Sequence, residues 1–441
     1  MVGQDLYTRY DWMLHTVEQE YLNGQQVDYN QGKAIGGGTI LNGMVWTRGS
    51  AKDYNSWGNL NHIEGQVNQY NWRWERPNLH IATEQTVTQI LLETVDQLQT
   101  AVGVESTFLE WEQTFKITAC FTQYTHHSYY DMAETYSRSV LDTNDSVFTA
   151  LTVHASEESL AAASDEYYTN QTGPLTAPLI STIAFPALQE FADDWVDLLN
   201  EAQQRDVNST LPPDTPATVR QGYLAQRQYQ IPLLRDPTEG AIEVLADSIG
   251  TLSVAMQRPL SRGTVRPGTS NMFDSPIVDP RYCSEPFDCI LLARALLFNC
   301  ALINTTTMAE LQPVVQEPYF CPDDLADFDR AGADSRMLDL VRQNIATEFH
   351  PSGSTAMLPL ELGGVVDTEL RVYGTQNVRV VDAGVMPLVL GAHLQAAVYA
   401  MAERAADIIR EDALYGQASS SSKRGVSGTT GPDQPGLVGM G

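Results

Sequence analysis

The sequence predicts an α+β protein, and three features carry that expectation. Leu79 to Leu92 is rich in β-branched residues and is followed, after a short polar gap, by Ala101–Glu105, a pattern of two paired strands. From about Ser106 to Thr347 the apolar residues fall mostly at helical spacing, broken by Pro and Gly clusters at Leu211–Pro216 and Arg262–Thr269. Val365 to Val381 then returns to β character around a turn at Gly374, and a helix rich in Ala, Met and Glu is expected from about Leu394 to Glu411.

Two segments of the middle define its helices. Phe287 to Ile303 is apolar on all sides, yet it carries Asp288, Arg294 and Asn299 and falls short of a twenty-residue span, so it reads as a buried core helix. Leu188 to Val207 sets Phe191, Trp195, Leu198 and Leu199 at helical spacing among acidic residues, the pattern of one amphipathic surface helix. After Tyr415 the chain is mainly Gly, Ser and Pro, and residues 416–441 are expected to be a disordered tail.

Of the 441 residues, 26 are Lys or Arg and 55 are Asp or Glu, a formal charge of −29. Such a surface repels phosphate backbones and anionic lipid, so neither nucleic acid nor membrane is an expected partner. Cys120, Cys283, Cys289, Cys300 and Cys321 are too few for a disulfide framework and show no zinc-ligand spacing. They read best as buried small hydrophobes, with Cys283 and Cys289 close enough for one local disulfide, and no metal is expected. The first residues lack the basic start and apolar core of a signal peptide. Four Asn-x-Ser/Thr triplets, at Asn144, Asn170, Asn208 and Asn304, would matter only in a secretory compartment.

Chemistry concentrates in three places. Gly36-Gly37-Gly38-Thr39, inside the run Gly32 to Gly49, brings bare backbone close to whatever lies beside it. Such a turn either cradles a phosphate or a planar ring, or is an ordinary Gly-rich turn. His350, in His-Pro-Ser-Gly-Ser-Thr-Ala-Met357, and His393, in Gly391-Ala-His-Leu-Gln395, each lie in a turn flanked by small residues. Histidine titrates near neutrality, which suits proton removal from an alcohol.

Taken together, the run from Gly32 to Asn55 resembles the first signature of the glucose-methanol-choline (GMC) flavoprotein oxidoreductases. The stretch from His350 to Ile409, with Gly-Gly-Val-Val-Asp367, Arg-Val-Tyr-Gly374 and Arg-Val-Val-Asp382, resembles that family's C-terminal block. The second histidine, His393, places the likeness in the glucose-oxidase and aryl-alcohol-oxidase branch. The resemblance implies FAD as cofactor, a small-molecule alcohol as substrate, and oxidation of its CH–OH group. It puts His350 in the role of base and His393 as its hydrogen-bonding partner. It also implies that Gly36, Gly37, Gly38, Thr39, Asn42, Gly43 and Val45 line the flavin and its diphosphate, with Asp382 and Ala383 near the ribityl chain. The implied organisation is a flavin-binding domain from residues 1–105 and 346–415, and a mostly helical substrate domain from 106–345.

The sequence departs from the family in three places. No Gly-x-Gly-x-x-Gly occurs in the 441 residues, Tyr70-Asn-Trp runs almost directly into Arg76-Pro-Asn-Leu79, and no Ser-Gly-rich segment follows Glu105. Two further readings therefore stand beside alcohol oxidation: a flavin-free shortened homologue serving as a binding or structural protein, and a non-redox cyclase on the same scaffold.

Overall fold

The computed structural model describes residues 7–34, 36–62, 85–95, 97–108, 111–115, 133–137, 139–141, 153, 156–176, 180–247, 251–271, 273–310, 313–315, 319–321 and 335–424. The strands are β1 (Leu14–His15), β2 (Asp28–Tyr29), β3 (Gln85–Val95), β4 (Leu98–Phe108), β5 (Trp111–Phe115), β6 (Ala133–Ser137), β7 (Ser139–Leu141), β8 (Ile180–Ala184), β9 (Ile242–Asp247), β10 (Leu252–Met256), β11 (Thr264–Arg266), β12 (Ile277–Asp279), β13 (Pro313–Val315) and β14 (Ile345–Thr347). The helices are α1 (Ala51–Leu60), α2 (Glu157–Asn170), α3 (Leu188–Phe191), α4 (Trp195–Gln204), α5 (Ala217–Arg235), α6 (Pro286–Ile303), α7 (Thr306–Ala309), α8 (Ser335–Asn344) and α9 (Gln395–Arg424). This is the expected α+β class.

The largest sheet among the described residues is antiparallel, in the order β14-β6-β10-β9-β8. Helix α6 packs on β10 and β6 and is apolar on every side, because α8 and α4 cover its remaining faces. Pro286 at its first turn needs no N–H partner. Asp288 in the same turn accepts from the Leu260 and Ser261 amides at 3.0 and 2.7 Å, which ties the helix start to the chain leaving β10. Burial pushes the Asp288 carboxyl up from its ordinary value, and those donors pull the other way.

Both chain ends meet on this middle unit. Hairpin β3–β4 docks on the C-terminal block, where the Gln99 amide donates to Gly374 O and the Gln376 amide to Gln99 O, at 3.1 and 2.9 Å. Helix α1 begins with a reciprocal cap between Ser50 and Asp53. Its Trp57 indole donates to Leu388 O at 3.0 Å. Arg258, just past β10 and only 3% exposed, bonds Asp53 of α1, Glu239 at 2.8 Å and Gly240 O at 3.1 Å. A side chain on Gly391 would come within 2.5 Å of the Arg258 guanidinium, so only glycine allows this close approach.

Several expectations need correction. The middle, expected to be mostly helical, does contain long helices but also holds the five-stranded sheet. Its central strands β9 and β10 are buried continuously over Ile242–Val244 and Leu252–Met256, so the in–out alternation that marks a strand is missing. The single helix expected over Leu188–Val207 is broken at Ala192–Asp194, where Asp194 turns out to pair with Arg294 at 2.8 Å. Val365–Val381 forms isolated bridges at Val366–Val372 and Arg371–Arg379 instead of a regular hairpin. The tail expected to be disordered from 416 is helical to Arg424, since Ala, Gln, Ser and Lys propagate a helix already nucleated and Gly416 alone does not stop it.

Cys283 and Cys289 form the local disulfide their spacing allowed, whereas Cys300, expected as a simple hydrophobe, is bridged to Cys321, which pins the end of α6 to Tyr319–Cys321. Asn170, Asn208 and Asn304 are exposed. Cys120, Asn144, residues 63–84 with the motifs at Tyr70 and Arg76, and residues 425–441 of the expected tail lie outside the described residues.

Arg258→Met leaves Asp53 buried without its cation and Glu239 with only Lys52, 3.6 Å away. Urea unfolding should show a loss of about 3–5 kcal/mol, as for other broken buried ion pairs; an unchanged midpoint would remove Arg258 from this role.

Candidate active site

Three strand ends of the large sheet converge on the two histidines. Glu243 is near the start of β9, Gln257 follows the end of antiparallel β10, and Glu348 follows β14, which runs in the same direction as β10 across the intervening β6. The topology therefore places all three at one edge of the sheet. The Gln257 amide donates to Glu243 Oε2 at 3.1 Å and lies 3.4 Å from both Glu348 oxygens. The Glu243 side chain is 0% exposed and that of Glu348 is 5% exposed.

His350 and His393 meet edge to face, with ring centroids 4.8 Å apart and planes at 88°. His393 Nε2 lies 2.9 Å from Glu243 Oε1 and 3.9 Å from Glu348 Oε1, while its backbone amide donates to Thr47 Oγ1 at 3.0 Å. The ring is thus held from the sheet and the loop from the N-terminal segment. His350 Nδ1 lies 3.7 Å from Glu348 Oε1, beyond hydrogen-bond range, and is buried without a partner. Phe349 between them has φ +63°, a left-handed conformation that costs a residue with a Cβ about 1–2 kcal/mol. That reversal turns Phe349 outward and leaves Glu348 and His350 beside each other. Burial, and then the neighbouring His393, hold the His350 imidazole well below the usual histidine range, so it is neutral at physiological pH.

The loop after His350 is laced to the loop of Asp382 and Ala383. Gly353 N donates to Ala383 O, Thr355 N to Gly384 O and Met357 N to Val385 O, at 2.8–3.1 Å. Asp382 accepts from the Gly384 amide at 2.7 Å, and burial raises its carboxyl pKa. The glycine turn is a separate feature. Gly36 and Gly37 take positive φ, Thr39 Oγ1 donates to Gly36 O at 2.6 Å, and the Asn42 side chain accepts from the Met44 amide at 3.0 Å. Gly43 packs against Ile180, and Val45 leads to Thr47, where this segment reaches the histidines.

Two sequence-family models, both described as GMC oxidoreductase, match residues 13–74 and 259–402. The chain belongs to the GMC oxidoreductase family. A GMC oxidoreductase family protein of Malassezia sympodialis, Mala s 12, is 25% identical over 91% of this chain and 83% of its own length. A glucose oxidase-like protein of Humicola fuscoatra is 40% identical over 34% of this chain and 25% of its own length. In fold, the chain is similar to an FAD-dependent oxidoreductase from Chaetomium thermophilum (TM-score 0.79, 22% identity, 92% of this chain and 90% of that one). It is also similar to a fungal aryl-alcohol oxidase (TM-score 0.74, 18% identity, 92% and 90% covered).

FAD is named for the Chaetomium thermophilum oxidoreductase of the same fold, and the residues present here fit such a group. His350 Nδ1 and Thr355 Oγ1 are buried polar atoms without a protein partner. A side chain on Gly384 would meet Thr355, Asp382 and Ser354 within 2.9 Å, so this backbone stays bare. Gly37 and Gly38 face open space, as a turn that receives a ligand must. Glu243, Gln257, Glu348 and Thr47 were not singled out in the sequence. The one available signal was Glu243, a charge set inside the apolar run Ala241–Ala246.

Because only the unfolded chain protonates this histidine near its ordinary value of 6.5, lowering the pH through that value favours unfolding. Urea midpoints measured above and below pH 6.5 should fall on the acid side, and His350→Gln should flatten that dependence. An identical slope in the variant would assign the titration to another group.

Proposed function

We propose that this GMC chain oxidises the CH–OH group of a small alcohol, with His350 as the base and His393 beside it. His393 meets it edge to face and bonds Glu243, where the resemblance implies a hydrogen bond to His350. The observation that carries this reading is a neutral, buried imidazole set edge to face against a second imidazole that is anchored by a buried carboxylate. The relative from Humicola fuscoatra, a glucose oxidase-like protein, supports an alcohol donor. FAD, when bound, supplies the acceptor for the hydride that leaves the carbinol carbon. Gly36, Gly37, Gly38, Thr39, Asn42, Gly43 and Val45 would hold it on one side, and Asp382 and Ala383 on the other.

The chain's own residues handle the proton. With hydrogen on Nδ1, on the side of Glu348, His350 Nε2 carries the lone pair that takes the hydroxyl proton. Removing that proton turns the donor into an alkoxide-like species, from which hydride departs far more readily. The carbon–hydrogen and oxygen–hydrogen bonds break, a carbonyl forms, and the proton stays on His350. Glu348 Oε1, 3.7 Å from Nδ1, stabilises the resulting imidazolium. Glu243 and Thr47 keep His393 from turning away while this happens.

His350→Ala should slow flavin reduction by about 10²–10⁴-fold in stopped-flow mixing with an alcohol, with the flavin still bound. Reduction at the unaltered rate would end the assignment of His350 as base.

A further inference from the structure

The sequence alone offers no zinc-ligand motif, yet the fold brings His393 to the neighbouring pair Glu348 and His350. One ligand atom each from Glu348, His350 and His393 lies within 4.8 Å of the others. Two of the separations run from Glu348 Oε1, 3.7 Å to His350 Nδ1 and 3.9 Å to His393 Nε2. Ligands about 2.0–2.2 Å from a tetrahedral zinc ion stand roughly 3.3–3.6 Å apart, so the two separations from Glu348 need shifts of a few tenths of an ångström and a pair at the 4.8 Å limit needs about 1 Å of side-chain rotation.

We propose that Glu348, His350 and His393 form a binding site for a single divalent transition-metal ion of the zinc class. Two histidines and one carboxylate are a donor set that zinc-class ions favour, with a further position left open. His350 Nδ1 is a buried nitrogen without a hydrogen-bond partner, and metal ligation would satisfy it. Behind the triad, Gln257 links Glu243 to Glu348, an outer partner that orients a metal ligand, while the Glu243 bond to His393 uses the same Nε2 and would give way to the ion. A divalent cation would also compensate the charge of these two buried carboxylates. Resting on the function proposed above, the ion would be an inhibitor: coordination through Nδ1 moves the hydrogen of His350 to Nε2 and removes the lone pair that accepts the alcohol proton.

The test is equilibrium dialysis of the full-length, chelator-treated protein against Zn²⁺, with metal and protein measured on each side. We expect one equivalent bound per chain. Glu348→Gln, shown folded by circular dichroism, should weaken binding by at least about 100-fold, the upper end of what losing even an outer partner costs. His350→Ala should do the same, whereas His15→Ala, at the exposed His15–Asp28 pair, should leave the affinity unchanged. No stoichiometric uptake, or wild-type affinity in both Glu348→Gln and His350→Ala, would overturn the site. Zinc uptake needs neither flavin turnover nor alcohol. A chain that binds zinc and oxidises nothing therefore sinks only the proposed function, and one that oxidises alcohol without taking up zinc sinks only this inference.

Discussion

A single buried guanidinium organises the parts of this protein that matter. Arg258 joins Asp53 at the start of α1, Glu239 and Gly240 ahead of β9, and the backbone at Gly391, two residues before a site histidine. Each contact belongs to a different stretch of chain. Removing a guanidinium from water is costly, and the fork of donors recovers that cost only when carboxylates and a carbonyl meet it together. The arrangement is consequently strict: the N-terminal helix, the middle sheet and the C-terminal loop have one mutual placement that satisfies the cation. Asp53 shows how tightly the demands are shared, since it also closes the cap of α1 and accepts from the Gly391 amide at 3.3 Å.

The histidine site uses the same physics with the signs rearranged. Two carboxylates are carried at one end of the sheet and given an amide, Gln257, and an imidazole, His393, as partners. What remains incompletely bonded is the nitrogen of His350 that faces Glu348. Sheet topology is the reason these groups meet at all, because β9, β10 and β14 deliver residues 243, 257 and 348 to the same edge. The aromatic edge-to-face contact then fixes the second ring against the first.

The histidines were legible in the sequence because each stands in a short turn among glycines, alanines and serines, with a recognisable C-terminal block around it. Their carboxylate partners were not, since Glu243 meets His393 across 150 residues and no local pattern encodes that pairing. α6 was readable because an eighteen-residue, mostly apolar run without strand alternation fits a helix covered on all sides. β9 and β10 were hidden by the same property, as a short strand buried on both faces resembles a piece of buried helix. The break between α3 and α4 and the Cys300–Cys321 bridge depend on Arg294 and on a cysteine 21 positions away, and are likewise tertiary facts.

The long span between interacting residues has a consequence for how the molecule is made. Thr47 receives the His393 amide across 346 positions, and Trp57 reaches Leu388 across 331. Translation at about 5–20 residues per second separates the emergence of these partners by tens of seconds. Until Leu388 emerges, the Trp57 indole lacks the carbonyl that accepts its N–H, and Trp57 and Leu60 can pack only on the earlier members of their cluster, Leu211, Val219 and Tyr223. A nascent chain in that state is a natural client for a holding chaperone, and the loop that carries His393 completes the site only after the whole middle sheet has been made.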